Sequence, residues 1–86
     1  MRRNGYNELK LKTLAVFSRF DQAWLSAPLW ARLVEYPDRD GACSYLRRLA
    51  RWGLLHHRRD WRGMVLFRIS DKGRRRLRWL RGKQGP

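Results

Sequence analysis

Between Asp40 and Trp52 the chain sorts its side chains by helical period more cleanly than anywhere else. At about 100° per residue, Ala42, Tyr45, Leu46, Leu49 and Trp52 fall within an arc of about 120°, and Asp40, Cys43, Ser44, Arg47, Arg48 and Arg51 fall opposite. The pattern predicts an amphipathic helix over 40–52 with one packed face and one basic outer face. Gly53 stands where a left-handed C-cap is expected. The rest of the fold has to cover the apolar arc of this helix and leave its arginines outside.

After Gly53 the period changes. Leu54-Leu55-His56-His57-Arg58 is extended in character, and Arg59-Asp60-Trp61-Arg62-Gly63 is a loop ending in glycine. Met64 to Ile69 puts Val65, Phe67 and Ile69 on one face and Arg68 on the other, so the two stretches predict a β-hairpin. Ser70 then caps a last helix over about 71–81 that buries Leu77 and Leu80.

Upstream, Asn7 is a candidate cap for a first helix reaching to about Gln22. Its predicted core stripe is Leu9, Val16, Phe17, Phe20 and Trp24, with Lys10, Lys12, Arg19 and Asp21 off that face. Leu11 and Leu14 do not fit the stripe, which leaves them exposed or set against a partner subunit. Residues 23–25 form a candidate short strand. Ser26 is a natural N-cap, and Pro28 is tolerated in the first turn of a helix over 27–35 with Trp30, Leu33 and Val34 as its apolar face. Pro37 ends that helix, and Asp38-Arg39-Asp40-Gly41 is turn and cap chemistry, with Asp40 read as the cap of the next helix. Trp24, Trp30 and Trp52 read as core residues. Residues 1–86 make one small domain, with 1–6 and 82–86 expected to be flexible.

Charge narrows the partner. The chain carries 21 Lys and Arg against 7 Asp and Glu, a formal net charge of +14, and 17 of the basic residues are Arg. Residues 46–86 hold fourteen basic and two acidic side chains, whereas 1–45 hold seven and five. A one-sided excess implies a polyanion, and the Arg bias favours nucleic acid, because the guanidinium fork grips phosphate and the guanine edge bidentately. No apolar run approaches a membrane span and no signal peptide is read, so no membrane partner is expected. The single cysteine suits a reducing, cytoplasmic setting.

The segment Tyr45-Leu46-Arg47-Arg48-Leu49-Ala50-Arg51-Trp52-Gly53-Leu54-Leu55 resembles the end of the recognition helix in transcriptional regulators of the MarR, ArsR and PadR types. Phe67-Arg68-Ile69-Ser70-Asp71-Lys72-Gly73-Arg74 resembles the closing strand of their wing and the start of the next helix. The resemblance implies an α+β, mostly α, winged helix-turn-helix: a three-helix core, a β-hairpin wing and a C-terminal helix. It implies sequence-specific binding of double-stranded DNA by a nucleoid-associated transcriptional regulator, with the 40–52 helix in the major groove. Asp40, Cys43, Ser44, Arg47 and Arg48 would then face base edges and Arg51 phosphate. The wing, 58–63, would set Arg58, Arg59, Trp61 and Arg62 on the backbone or in the minor groove. The first residues of the 27–35 helix would offer backbone N–H groups to phosphate. MarR-type proteins are longer and carry extra dimerisation helices, for which this chain has little room. A homodimer is still favoured, because regulators often read paired half-sites.

Other readings stay open on the sequence. RNA fits the charge as well as DNA does, and a winged helix can also serve as a protein-docking module. Trp61 either folds back on the hairpin or touches sugar or an unpaired base. The last helix, with Arg74, Arg75, Arg76, Arg78 and Arg81, either contacts nucleic acid or only adds to the long-range field. Arg2 and Arg3 are candidates for a short arm. His56 and His57 are adjacent in a strand and so point to opposite faces, poor geometry for a shared metal. No cofactor is expected. No catalytic motif is present, and an enzyme is not expected.

Overall fold

The computed structural model describes the backbone of residues 5–21 and 23–84, and the side chains of residues 8–21, 23–38 and 40–82. Elements follow in the order α1 (Gly5–Arg19), β1 (Leu25–Ser26), α2 (Ala27–Val34), α3 (Arg39–Arg51), β2 (Leu55–Arg59), β3 (Val65–Ile69) and α4 (Asp71–Gln84). This is a mostly helical α+β fold. The strands form one antiparallel sheet in the order β1-β3-β2. Its register pairs Leu25 with Phe67, Leu55 with Ile69 and His57 with Phe67, which puts the apolar strand residues on one face. Leu25, Leu55, Phe67 and Ile69 are buried there, with Leu14 and Phe17 of α1, Trp30 of α2, Leu46 and Leu49 of α3, and Leu77 and Leu80 of α4.

The helix boundaries follow from local chemistry. The Ser26 hydroxyl accepts the Leu29 N–H at 3.3 Å, Pro28 sits in the first turn, and Glu35 closes α2 in the left-handed region at φ 57°. Asp38, and not Asp40, caps α3: its carboxylate accepts the Gly41 N–H at 3.0 Å. Asp40 lies exposed in the first turn, where a negative charge complements the helix dipole. At the far end of α3, Gly53 adopts φ 81°, its N–H reaching the Ala50 carbonyl and the Leu54 N–H reaching that of Leu49, both at 2.9 Å. That is a Schellman closure, in which left-handed glycine lets the chain reverse over the last turn.

Several expectations need correction. The buried stripe of α1 is Lys10, Thr13, Leu14 and Phe17, rotated partly away from the predicted one: Phe17 is common to both, and Leu9 and Val16 are half-buried at its edge. α1 is covered by α2, α4 and β3 together, so the arc taken into the interior is chosen by three neighbours and includes polar residues. Leu14 is therefore core and Leu11 half-buried, while Phe20, just past the helix end, is exposed. Leu33 is likewise exposed, and Ala27 and Ala31 take its place beside Trp30 and Val34. Trp52 is the C-cap residue of α3, where the chain leaves the core, and lies 39% exposed; Trp24 is half-buried, and only Trp30 of the three is fully inside. Asn7 lies within the helical backbone of α1, not at its cap, and its side chain is outside the described residues, as are Arg2 and Arg3. The helices also run into both segments expected to be flexible, α1 from Gly5 and α4 through to Gln84.

The end of α3 is tied to the start of α4. The Ser70 hydroxyl donates to the Gly53 carbonyl and accepts the Gly73 N–H at 2.9 Å, and the Ser70 N–H reaches the Leu54 carbonyl at 3.1 Å. Gly73 is required by this approach: a Cβ there would collide with the Leu54 carbonyl oxygen and crowd Ile69. Gly73→Ala should therefore lower stability by about 1–3 kcal/mol, as overpacking does. Gly82→Ala meets open space on α4 and should instead stabilise by about 0.5–1 kcal/mol. Thermal unfolding of the two variants beside the parent checks the opposite signs, at about 4–8 °C per kcal/mol for a domain of this size.

Candidate nucleic-acid interface

The outer face of α3 is presented on a rigid support. Trp30, Tyr36 and Tyr45 form one aromatic cluster, with ring centroids 4.9 Å apart for Trp30–Tyr36 and 5.6 Å for Trp30–Tyr45. These rings lock α2, the connecting turn and α3 together. Away from the cluster Asp40, Ser44, Arg47, Arg48 and Arg51 are exposed, as the periodicity predicts. Cys43 departs from that set: it is half-buried against the core.

The hairpin extends beside this face. Arg47, Ala50 and Arg51 of α3 and His57, Arg59 and Val65 of the two strands line one cleft of about 430 Å³. No carboxylate among the described residues lines it. The strand period explains which side chains enter. Leu55 is buried on the inner face, so His57 and Arg59, two and four residues on, follow it on that face and run beyond the core toward α3. His57 is the member of this group that sequence reasoning passed over. The signal was present, since the phase of β2 is set once Leu55 is assigned to the core.

Arg58 goes the other way. Its guanidinium stacks on the outer face of the sheet over Trp24, 4.6 Å from the ring centroid, and Arg68 packs on the same ring at 4.8 Å. Arg58 therefore does not join Arg59 at the cleft. The physical reason is the alternation of β2, which sends neighbouring residues to opposite faces.

The tip of the hairpin is a three-residue loop with Gly63 at φ 85°. One Asp60 carboxylate oxygen accepts the N–H groups of both Arg62 and Met64 at 2.9 Å, and the Asp60 N–H reaches the Met64 carbonyl at 2.9 Å. Arg59 adds a long hydrogen bond to the Gly63 carbonyl at 3.4 Å. Held this way, Trp61 is 85% exposed and does not fold back on the strands; Arg62 stacks on its ring at 4.7 Å. Arg59 and Arg62 thus flank an ordered tip, one toward α3 and one on the tryptophan.

Among the described residues no three His, Cys, Asp or Glu side chains come together as a metal site requires, and no helix is long and apolar enough to cross a membrane. His56 and His57 are both exposed on opposite faces of β2. No family model, curated protein or solved structure matches the chain.

Asp60→Ala removes the acceptor that organises the tip. Amide hydrogen exchange should show Arg62 and Met64 losing protection, with the amides of β3 nearer Ile69 unchanged.

Proposed function

We propose that the chain is a winged helix-turn-helix protein that binds double-stranded DNA with sequence preference, in the manner of a transcriptional regulator acting in the cytoplasm at the nucleoid. The observation that carries this reading is the cleft in which Arg47 and Arg51 of α3 face His57 and Arg59 of the hairpin with no acid between them. A basic helix flanked by a basic hairpin suits a phosphate backbone running between them, with the exposed part of the helix at base edges. The element order, the four-residue link between α2 and α3, and the β1-β3-β2 sheet support the winged-helix assignment.

Roles divide by position. Ser44, Arg47 and Arg48, exposed on α3, are the base-reading candidates, and Asp40, exposed in the first turn, would accept from a cytosine amine. Arg51 and Arg59 line the cleft and serve phosphate. Arg62 and Trp61 stand at the wing tip for the sugar-phosphate edge or the minor groove. Cys43, half-buried, and Arg58, exposed but stacked on Trp24 at the outer face of the sheet, would reach a partner only beside the main contact surface. Paired half-sites would be read by a homodimer.

Fluorescence anisotropy of labelled duplexes, titrated at rising salt, tests the reading. The parent should bind with a steep loss of affinity as salt rises. Arg47→Ala should lose both affinity and base preference, whereas Arg62→Ala should weaken all duplexes alike and reduce the salt slope by about 1. If both variants bind every duplex as the parent does, the docking is wrong, and structured RNA outcompeting duplex would turn the reading to RNA. Asp60→Ala separates geometry from charge. It makes the chain more positive, yet it should bind duplex more weakly because the tip is no longer held.

A further inference from the structure

A second basic surface lies along α4 and shares no lining residue with the α3–hairpin cleft. Lys72, Arg75, Arg76 and Trp79 stand at i, i+3, i+4 and i+7, so they form one stripe on the exposed side of the helix, about 10 Å long. A neighbouring side of α4 is already used, since Gly73, Leu77 and Leu80 face the core. Two clefts flank the stripe. One, of about 430 Å³, is lined by Lys10, Trp52, Leu54, Lys72 and Arg76, and the other, of about 400 Å³, by Lys72, Arg75, Arg76 and Trp79. The two clefts adjoin across Lys72 and Arg76, which line both, and together make one shallow basic groove-like surface lined by no carboxylate among the described residues.

Each end of this groove carries a tryptophan with a cation against it. The Lys10 ammonium sits 4.9 Å from the Trp52 ring centroid, and the Arg76 guanidinium 5.6 Å from that of Trp79. Both rings keep large accessible area, 39% for Trp52 and 52% for Trp79. Lys10 is buried, and burial together with the Arg76 charge holds its ammonium below the usual lysine range. Two exposed indoles separated by four cations in a shallow groove are what a flexible polyanion with flat faces requires: charge along the backbone and rings for the bases. A duplex keeps its bases stacked inside and has no use for such rings. An acidic peptide would be served by the cations alone. A membrane surface would need an apolar stripe on the outside of α4, and its leucines are spent on the core.

We propose that this groove binds single-stranded nucleic acid, with the backbone over Lys72, Arg75 and Arg76 and bases against Trp52 and Trp79. The site is separate from the duplex interface and does not depend on that reading.

The full chain is tested by anisotropy with a labelled fifteen-residue oligothymidine and a labelled duplex. Trp79→Ala and Trp52→Ala should each weaken oligothymidine binding roughly tenfold, with duplex binding changed by less than about twofold. Trp79→Phe should keep most of the binding, since a ring remains. Trp61→Ala, an exposed tryptophan on the other surface, should leave oligothymidine unaffected. Arg47→Ala with Arg51→Ala should do the reverse, losing duplex and keeping the oligonucleotide. Thermal melts establish that each variant is folded, and if Trp52→Ala is not, Trp79→Ala and Trp79→Phe decide. The proposal is overturned if both folded Trp79 variants bind oligothymidine as the parent does. It is equally overturned if Trp61→Ala loses as much, or if polyglutamate or anionic vesicles compete as well as oligothymidine and with the same indifference to Trp79.

Discussion

The Ser70 hydroxyl joins the end of α3 to the start of α4, 17 residues apart in sequence, and the geometry of the α3 cleft depends on that junction. Through one oxygen it closes the N-terminus of α4 and holds the Gly53 carbonyl at the end of α3, while its backbone N–H holds Leu54. A satisfied buried hydroxyl contributes about 1 kcal/mol as a cap, and leaving its partners unpaired would cost more. The junction also sets where the hairpin begins, because Leu55 pairs with Ile69 immediately beside it. Arg47 and Arg51 therefore stand at a fixed distance from His57 and Arg59. The absence of a side chain at Gly73 is part of the same arrangement, since the Leu54 carbonyl occupies the space a Cβ would need.

A chain with a net charge of +14 has few acids with which to order its cations, and it uses tryptophan instead. Arg58 and Arg68 share the Trp24 ring, Arg62 lies on Trp61, Arg76 on Trp79 and Lys10 on Trp52. Such contacts occur about once per 70–80 residues in proteins generally, so five among the described residues mark a consistent device. Pairing with a carboxylate would orient a guanidinium but also neutralise it. Stacking on a ring orients it and leaves the charge available to a polyanion. Arg74, which meets both Asp21 and Asp71, is the contrasting case, and its role is to pin α4 to the turn after α1.

Much of this was legible in the residues. Ser26, Gly53 and Ser70 each mark a helix end by chemistry that acts within four residues, and each does so in the structure. The 40–52 pattern gave the packed face of α3 through Leu49 and the exposed set at Ser44, Arg47, Arg48 and Arg51. Val65, Phe67 and Ile69 gave the inner face of β3. The misreadings sit where a neighbour far along the chain makes the choice. Leu14 looked out of phase because the covering of α1 comes from three directions. Trp52 was in phase but lies at the end of the helix, beyond the reach of the core. Asp38 and Asp40 are both good caps, and a pattern cannot choose between two acids two residues apart. The role of Arg58 could not be read without knowing that Trp24 lies across the sheet from it.

The sequence by itself determined the elements, the ends marked by Ser26, Gly53 and Ser70, the basic character of the second half of the chain and the outward face of α3 at Ser44, Arg47, Arg48 and Arg51. These follow from interactions between residues within a turn or two of each other, where spacing alone fixes geometry. Only the tertiary structure decided which cations share a surface. Arg47 and Arg59 meet at one cleft, Arg58 and Arg68 meet at Trp24, and Lys10 meets Arg76 beside Trp52. Those groupings depend on how helices and sheet are set against one another, and that is settled by packing and by the Ser70 junction, neither of which has a period that a linear pattern can show.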